Sequence, residues 1–300
     1  MLKIAYHPIY QHPLPEGHRF PMEKYDLLPK QLLHEGSCTS ENFFEPAAAL
    51  SKDITRVHTK DYFDQLSNLN IDRKAARKIG FPLSEALVER EILIAGGTIQ
   101  ATQYAFKHGI AMNIAGGTHH AYADHGEAFC MLNDQAIGAA HLLAHQLVQK
   151  ILIIDLDVHQ GNGTAKIFED HSDVFTFSMH GASNYPFKKE KSDLDIPLPK
   201  GTTDKEYLQI LHKTLPKLID KVQPDFIFYL SGVDILDTDK LGTLSCTIEG
   251  CKQRDQYILE SCYKNNIPVV CSMGGGYSPD IQTIIEAHAN TYRTAQYLYF

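Results

Sequence analysis

A chain of 300 residues, 43% of them hydrophobic, is long enough for one large α/β domain or two small ones, and a domain of that size buries ~75% of its unfolded surface. The net charge of −8, with Lys and Arg scattered along the chain, argues against a dedicated nucleic-acid binder, which carries a clustered basic face. No apolar core stands in the opening "MLKIAYHPIY" and no 18 apolar residues run together, so neither a signal peptide nor a membrane span is expected, and the expected location is cytoplasmic.

The six cysteines show no CxxC and no dense framework, which fits free thiols in a reducing compartment. No linker, charge block or repeat divides the chain, so one domain over 1–300 is expected.

In chain order, the first apolar run is "KIAYH" (3–7). A helical pattern follows over 84–108, with Ser84 as N-cap and Gly109 beyond its end. "GIAMNIAGG" (109–117) reads as a strand, and 134–149 as a helix with Ile137, Ala140, Leu143, Ala144 and Leu147 on one face. "ILIIDLD" (151–157) and "VFTFSMH" (174–180) are strands. A helix over 204–221 should be kinked or split by Pro216. "DFIFYLSG" (225–232), a helix at 249–265, "VVCSMGGG" (269–276) and a helix at 279–297 complete the series. The strand runs are continuously apolar rather than alternating, as in strands buried on both faces. Their alternation with helices predicts an α/β fold with a mostly parallel sheet covered on both sides.

Ligands of such sheets bind beyond the carboxyl ends of the strands. Four runs end in chemistry-bearing residues: His119 and His120 after "AGGT", Asp155, Asp157 and His159 in "DLDVH", Asp234 in "SGVD", and Tyr277 after "GGG". Asp157 and His159, two apart at a strand end, can converge, and Asp234 can close the set from a neighbouring strand. Two carboxylates and one imidazole make an open three-ligand site suited to Zn²⁺, Fe²⁺, Mn²⁺ or Co²⁺. Taken singly, Asp157 could cap a helix and Asp234 could be a turn residue. Asp237 and Asp239 read as the rest of an acidic loop.

Adjacent imidazoles can move protons near neutrality, and Asp155 could orient one of them. The Gly-Gly before them allows a sharp turn and a close substrate. A phenol such as Tyr277 is a donor for a developing oxyanion. Neither GxGxxG nor GxxxxGK[ST] occurs.

"AGGTHHA", "FCMLND", "DLDVHQGNG", "SGVDILDTDKLG" and "GGGY", in this order, resemble the histone deacetylase family from about residue 3 to 297. The compact length and "HPLPEGHRFPMEKY" are most similar to the class IV branch and its bacterial relatives. The resemblance implies an eight-stranded parallel sheet, a zinc ion (Fe²⁺ also fits the ligands) held by Asp157, His159 and Asp234, and hydrolysis of an acyl-lysine amide. It casts His120 as general base and acid, His119 as the partner supported by Asp155, and Tyr277 as the oxyanion donor. Phe129 and Tyr185 or Phe187 would wall a tunnel, with Gly117 and Gly275 beside the substrate and Arg19 at the tunnel's inner end. A structural K⁺ would be bound through Asp155, Asp157, His159, Ser178 and Met179. The spacing Asp234-Ile235-Leu236-Asp237 departs from the DxD of two-metal relatives, so one catalytic metal is expected.

Three departures stand out. Asn162 replaces an Asp common in the family, which should leave His120 readily neutral. Ala128 replaces a Gly before the tunnel Phe. Residues 72–85 offer no clear rim acid like the one that holds a substrate backbone in class I members of the family. The expected partner is an acyl-lysine protein or peptide. Small acylated amines such as acetylpolyamines, longer fatty-acyl groups and a catalytically silent metal binder are the competing readings, and neither nucleic acid nor membrane is expected as a partner.

Overall fold

The computed structural model describes residues 1–300. Eight strands form one sheet: β1 (Ile4–Ala5), β2 (Phe43–Phe44), β3 (Ile110–Asn113), β4 (Ile151–Asp155), β5 (Val174–Gly181), β6 (Leu194–Leu198), β7 (Phe226–Ser231) and β8 (Val269–Met273). The helices are α1 (Lys24–His34), α2 (Ser51–Ile54), α3 (Lys60–Ser67), α4 (Arg73–Ile79), α5 (Glu85–His108), α6 (Asp134–Ala144), α7 (Asn162–Ile167), α8 (Asp204–Val222), α9 (Ile248–Lys264) and α10 (Ile281–Tyr299). Every strand pair is parallel, and the order is β2-β1-β3-β8-β7-β4-β5-β6. The expected α/β architecture with an eight-stranded parallel sheet is what the chain adopts.

β3, β4, β7 and β8 are buried at every position, because helices cover both faces. One buried cluster of 77 apolar side chains runs through the molecule. No helix is long and apolar enough to cross a membrane. All six cysteines are free and buried.

The sheet order places β3, β8, β7 and β4 side by side. These are the four strands whose ends carry the histidine pair, the Gly-Gly-Gly-Tyr run, Asp234 and the Asp155–His159 segment. Parallel pairing sends all four ends to the same rim, as a ligand site at the carboxyl edge requires.

Several local expectations hold. Ser84 caps α5 by accepting from the Leu87 N–H at 3.2 Å, and Gly109 ends it in the left-handed region at φ +84°. Others are corrected. α8 runs unbroken through Pro216. The ring removes the donor for the His212 carbonyl, and the Tyr257 hydroxyl of α9 donates to that carbonyl instead, at 3.4 Å. α6 stops at Ala144, five residues short of the periodic pattern's limit at 149. Gln146 turns to φ +54°, Asp225 takes the N–H groups of Gln149 and Lys150 at 2.7 and 2.8 Å, and Leu147 is left 53% exposed rather than on an apolar face. β2, at two residues, and the half-buried edge strand β6 give no continuous apolar run to detect.

Candidate metal centre and active site

Asp157, His159 and Asp234 are buried, and their ligand atoms lie within 4.8 Å of one another. His159 Nδ1 is 3.0 Å from Asp157 Oδ1 and 3.1 Å from Asp234 Oδ2. The second oxygen of each carboxylate is occupied: the Gly275 N–H donates to Asp157 Oδ2 at 2.7 Å, and the Val158 N–H donates to Asp234 Oδ1 at 2.9 Å. Backbone donors thus fix both carboxylates and leave one oxygen of each aimed at the imidazole. Burial resists a charge on His159, but Asp157 and Asp234 outweigh it and push its pKa up to about 10. Burial, then the charge of Asp157, raises Asp234 to about 7. Two buried carboxylates facing a single proton are a site with a demand for positive charge. Three N and O donors with room on one side fit a divalent cation such as Zn²⁺ or Fe²⁺.

Gly275 lies against this cluster so closely that a Cβ would strike Asp234 Oδ2. Any side chain there would displace a carboxylate. Gly117, at φ +67°, has the Met273 carbonyl 2.7 Å from where a Cβ would stand. That turn brings the loop after β3 over the ends of β8 and β7.

His119 and His120 are buried with ring centroids 4.1 Å apart, and both line the cavity that holds Asp157 and His159. His119 Nδ1 donates to Asp155 Oδ2 at 2.7 Å. Burial opposes its charge, yet Asp155 and Asp157 outweigh burial and its pKa rises. His120 Nδ1 donates to Asn162 Oδ1 at 2.5 Å. The Asn162 amide is oriented in turn, since its Nδ2 donates to the Tyr122 hydroxyl at 2.9 Å, which donates to Glu190 at 3.2 Å. Nε2 is therefore the free nitrogen of His120. Burial, followed by the charges of His119 and His159, holds His120 well below the ordinary imidazole range. The surroundings thus push the two imidazoles in opposite directions, His119 up and His120 down.

Tyr277 closes the same cavity. Its ring centroid is 6.4 Å from that of His159 and 6.2 Å from that of Phe129. Burial, then Asp157 and Asp234, raises the phenol well above its usual value, so it stays a donor. The loop bearing it is pinned along its length. Lys24 Nζ donates to the Gly274 carbonyl at 3.1 Å, the Val233 N–H to Gly275 O at 2.8 Å, and the Tyr277 N–H to Asp239 Oδ2 at 2.6 Å. Asp239, read from the sequence as part of an acidic loop, is thus a support of this loop.

Phe129 walls the approach, with Tyr185 edge-on to His120 at 5.0 Å. The Tyr185 hydroxyl donates to Glu127. Phe187 is 91% exposed and stands at the outer rim. Ala128 and Phe129 have φ +43° and +68°, and their N–H groups donate to Lys78 O and Ile79 O at 2.9 and 2.6 Å. A glycine would take that backbone without strain. Arg19 corrects the sequence reading. It is exposed and lies over the Phe129 ring at 4.9 Å, lining the outer mouth rather than the inner end. The cations at the inner end are the buried Lys24 and Arg90, around a cavity of about 40 Å³. Their distance in sequence from the five motifs hid them.

Of the residues expected to hold K⁺, Asp155 and Ser178 are neighbours across the sheet. Register pairs Asp155 with Ser178 across β4 and β5, and Ser178 Oγ lies 2.9 Å from His180 Nδ1. Two further buried supports went unread. Asp134 of "FCMLND" accepts from the Thr98 and Ser272 hydroxyls at 2.7 and 2.9 Å and from the Thr118 N–H at 3.1 Å, just before the histidine pair. Arg254 donates to the carbonyls of Leu156 at 3.1 Å and Gly232 at 2.5 Å, tying together the loops that carry Asp157 and Asp234.

A family model described as the histone deacetylase domain matches residues 18–292. The chain is 44% identical over 296 residues to an uncharacterized protein of Picosynechococcus sp., covering 99% of each. It is 32% identical over 279 residues to histone deacetylase 2 of Arabidopsis thaliana, covering 89% of this chain and 72% of that one. A solved HDAC homolog from Aquifex aeolicus has the same fold, with a TM-score of 0.84 at 24% identity over 98% of this chain and 84% of the other.

Proposed function

This chain belongs to the histone deacetylase family, and on that premise we propose that it removes a short acyl group, acetyl foremost, from the side-chain amide of acyl-lysine. The observation that carries the reading is the buried Asp157–His159–Asp234 cluster with the adjacent His119–His120 pair and Tyr277 lining the same cavity.

Asp157, His159 and Asp234 would hold the metal, which supplies Lewis-acid polarisation of the acyl carbonyl and acidification of a water. His120 Nε2, free because Nδ1 donates to Asn162, takes the proton of the attacking water. His119, oriented by its hydrogen bond to Asp155, stabilises the charge that develops beside it. The pair then returns a proton to the leaving lysine amine. Tyr277 donates to the tetrahedral oxyanion. Phe129 and Tyr185 hold the lysine stem and exclude water.

The competing substrates are weighed by the two ends of the tunnel. A long acyl chain would need depth, and the cavity behind Phe129 is small, about 40 Å³. A cationic acetylpolyamine would favour an acidic mouth. The mouth instead carries Arg19, Lys78 and a single carboxylate, Glu127, already engaged by His125, Tyr185 and Lys78. We also assign the chain to the class IV branch, on "HQGNG" and "HPLPEGHRFPMEKY", and a K⁺ to the Asp155–Ser178 cluster, where a hydroxyl donating to His180 keeps lone pairs for a cation.

The test is deacylation of a peptide panel from acetyl- to myristoyl-lysine, with acetylpolyamines alongside, by the full chain loaded with Zn²⁺ or Fe²⁺. Acetyl-lysine should be turned over fastest. Stoichiometric metal without turnover of any substrate would overturn the proposal in favour of a silent metal binder.

A further inference from the structure

The chain is acidic overall at −8, yet the ground around the tunnel mouth is basic. α4, on one side, carries Arg73, Lys74, Arg77 and Lys78 in seven residues. Its last turn abuts the tunnel wall through the bonds from the Ala128 and Phe129 N–H groups to Lys78 O and Ile79 O. Arg19 lines the same mouth, and its backbone is fixed by its neighbours. His18 Nε2 bonds the Gly80 carbonyl at 2.9 Å, and Phe20 packs on Phe129 with centroids 5.1 Å apart. Exposed Lys188 follows Phe187 at the rim.

Three carboxylates beside these cations are engaged. Asp72 caps α4 by accepting from the N–H groups of Lys74 and Ala75 at 2.7 and 3.0 Å. Glu127 accepts from Tyr185 and pairs with Lys78 at 3.3 Å. Asp124 bonds the His125 ring at 2.6 Å. Arg19 has no carboxylate partner; its only contact of note is the face of Phe129.

We propose that the mouth selects acyl-lysines flanked by acidic residues, with Arg19 as the principal reader. The inference rests on the acyl-lysine reading and names the class of peptide within it. A lysine stem threading past Phe129 leaves the peptide backbone at the rim. Its neighbouring side chains then lie beside a guanidinium that already covers the tunnel wall and has its donors free. Opposite charges a few ångströms apart at a surface are worth roughly 1 kcal/mol, and salt screens them. Such complementarity acts on encounter and on the choice of partner.

The experiment compares kcat/KM for matched acetyl-lysine peptides whose flanking positions are Glu, Gln or Lys, using the metal-loaded full chain at 50 and 500 mM salt. The Glu peptide should exceed the Lys peptide by about five- to tenfold at low salt, and high salt should shrink the gap. Arg19→Glu should invert the order of the Glu and Lys peptides. Lys213→Glu, at the other end of the sheet beside Phe175, should change nothing. A Glu-to-Lys ratio near one in the parent chain, or a ratio untouched by Arg19→Glu while the Gln peptide turns over, overturns the inference. No turnover of any peptide would instead overturn the acyl-lysine reading, and this inference with it.

Discussion

The two ends of the tunnel are built on opposite principles. At the inner end, every charged group is buried and answered: Asp157 and Asp234 by backbone N–H groups and His159, Asp155 by His119, and Lys24 by the Gly274 carbonyl and the rings of Phe20, Tyr25 and Tyr277 at 5.1 to 5.7 Å. At the mouth, Arg19 and Phe187 are exposed, and the walls come from loops. Burial raises the worth of each electrostatic contact, and exposure screens it. Substitutions inside should therefore strike turnover, and substitutions outside should shift preference by smaller factors.

The largest effect should come from the metal ligands. Asp157→Asn removes one charge from the cluster, and elemental analysis of the purified variant should find the ion lost and turnover at background. Full metal occupancy in that variant would break the assignment. Next is Tyr277→Phe, which should lower kcat by ~10²–10³ with KM little changed; a variant with full kcat would remove Tyr277 from the oxyanion role. Lys24→Met deletes a charged donor to the loop that carries Tyr277. Hydrogen bonds to charged groups contribute ~1.5–3 kcal/mol, so kcat should fall by roughly 10- to 100-fold. If Lys24 acts by positioning Tyr277, the same change in the Tyr277→Phe background should cost less than about threefold.

The fourth prediction concerns pH. His120 is held below the ordinary imidazole range, so its base form persists as pH falls, and the acid limb of kcat/KM should lie below about 6.5. Asn162→Asp places a carboxylate on Nδ1, raises the pKa of His120, and should move that limb upward by about one unit. The variant then loses more at pH 6 than at pH 8. An unmoved limb would mean that another group sets it.

The sequence was most informative where function is packed into contiguous segments. Asp157 and His159 lie two apart in one strand end, and the histidine pair is adjacent, so their convergence needed only the rule that parallel strands end together. Supports recruited from distant segments were not legible. Lys24 reaches Gly274 across 250 positions, and Arg254 reaches Leu156 across 98; neither sits in a motif. Arg19 was misplaced because its position in the chain does not say which way a loop residue faces. Pro216 misled for a related reason, since the donor that rescues its helix comes from Tyr257 on another element. Short edge strands such as β2 bury too little to leave a periodic trace.

The smallest predicted effect tests the mouth's backbone. Ala128 sits at φ +43° and precedes Phe129 at φ +68°, in a turn held on α4 by two backbone hydrogen bonds. A left-handed alanine costs roughly 1–2 kcal/mol relative to the right-handed form, whereas glycine adopts that region freely but loses more entropy on folding, ~0.5–1 kcal/mol. The two terms partly cancel. Ala128→Gly should therefore raise stability by no more than about 1 kcal/mol, a few degrees at most in Tm, and leave kcat on acetyl-lysine within twofold. A drop in kcat of tenfold or more would show that the Cβ of Ala128 shapes the tunnel wall, making the outer end as exacting as the inner one and erasing the contrast between them.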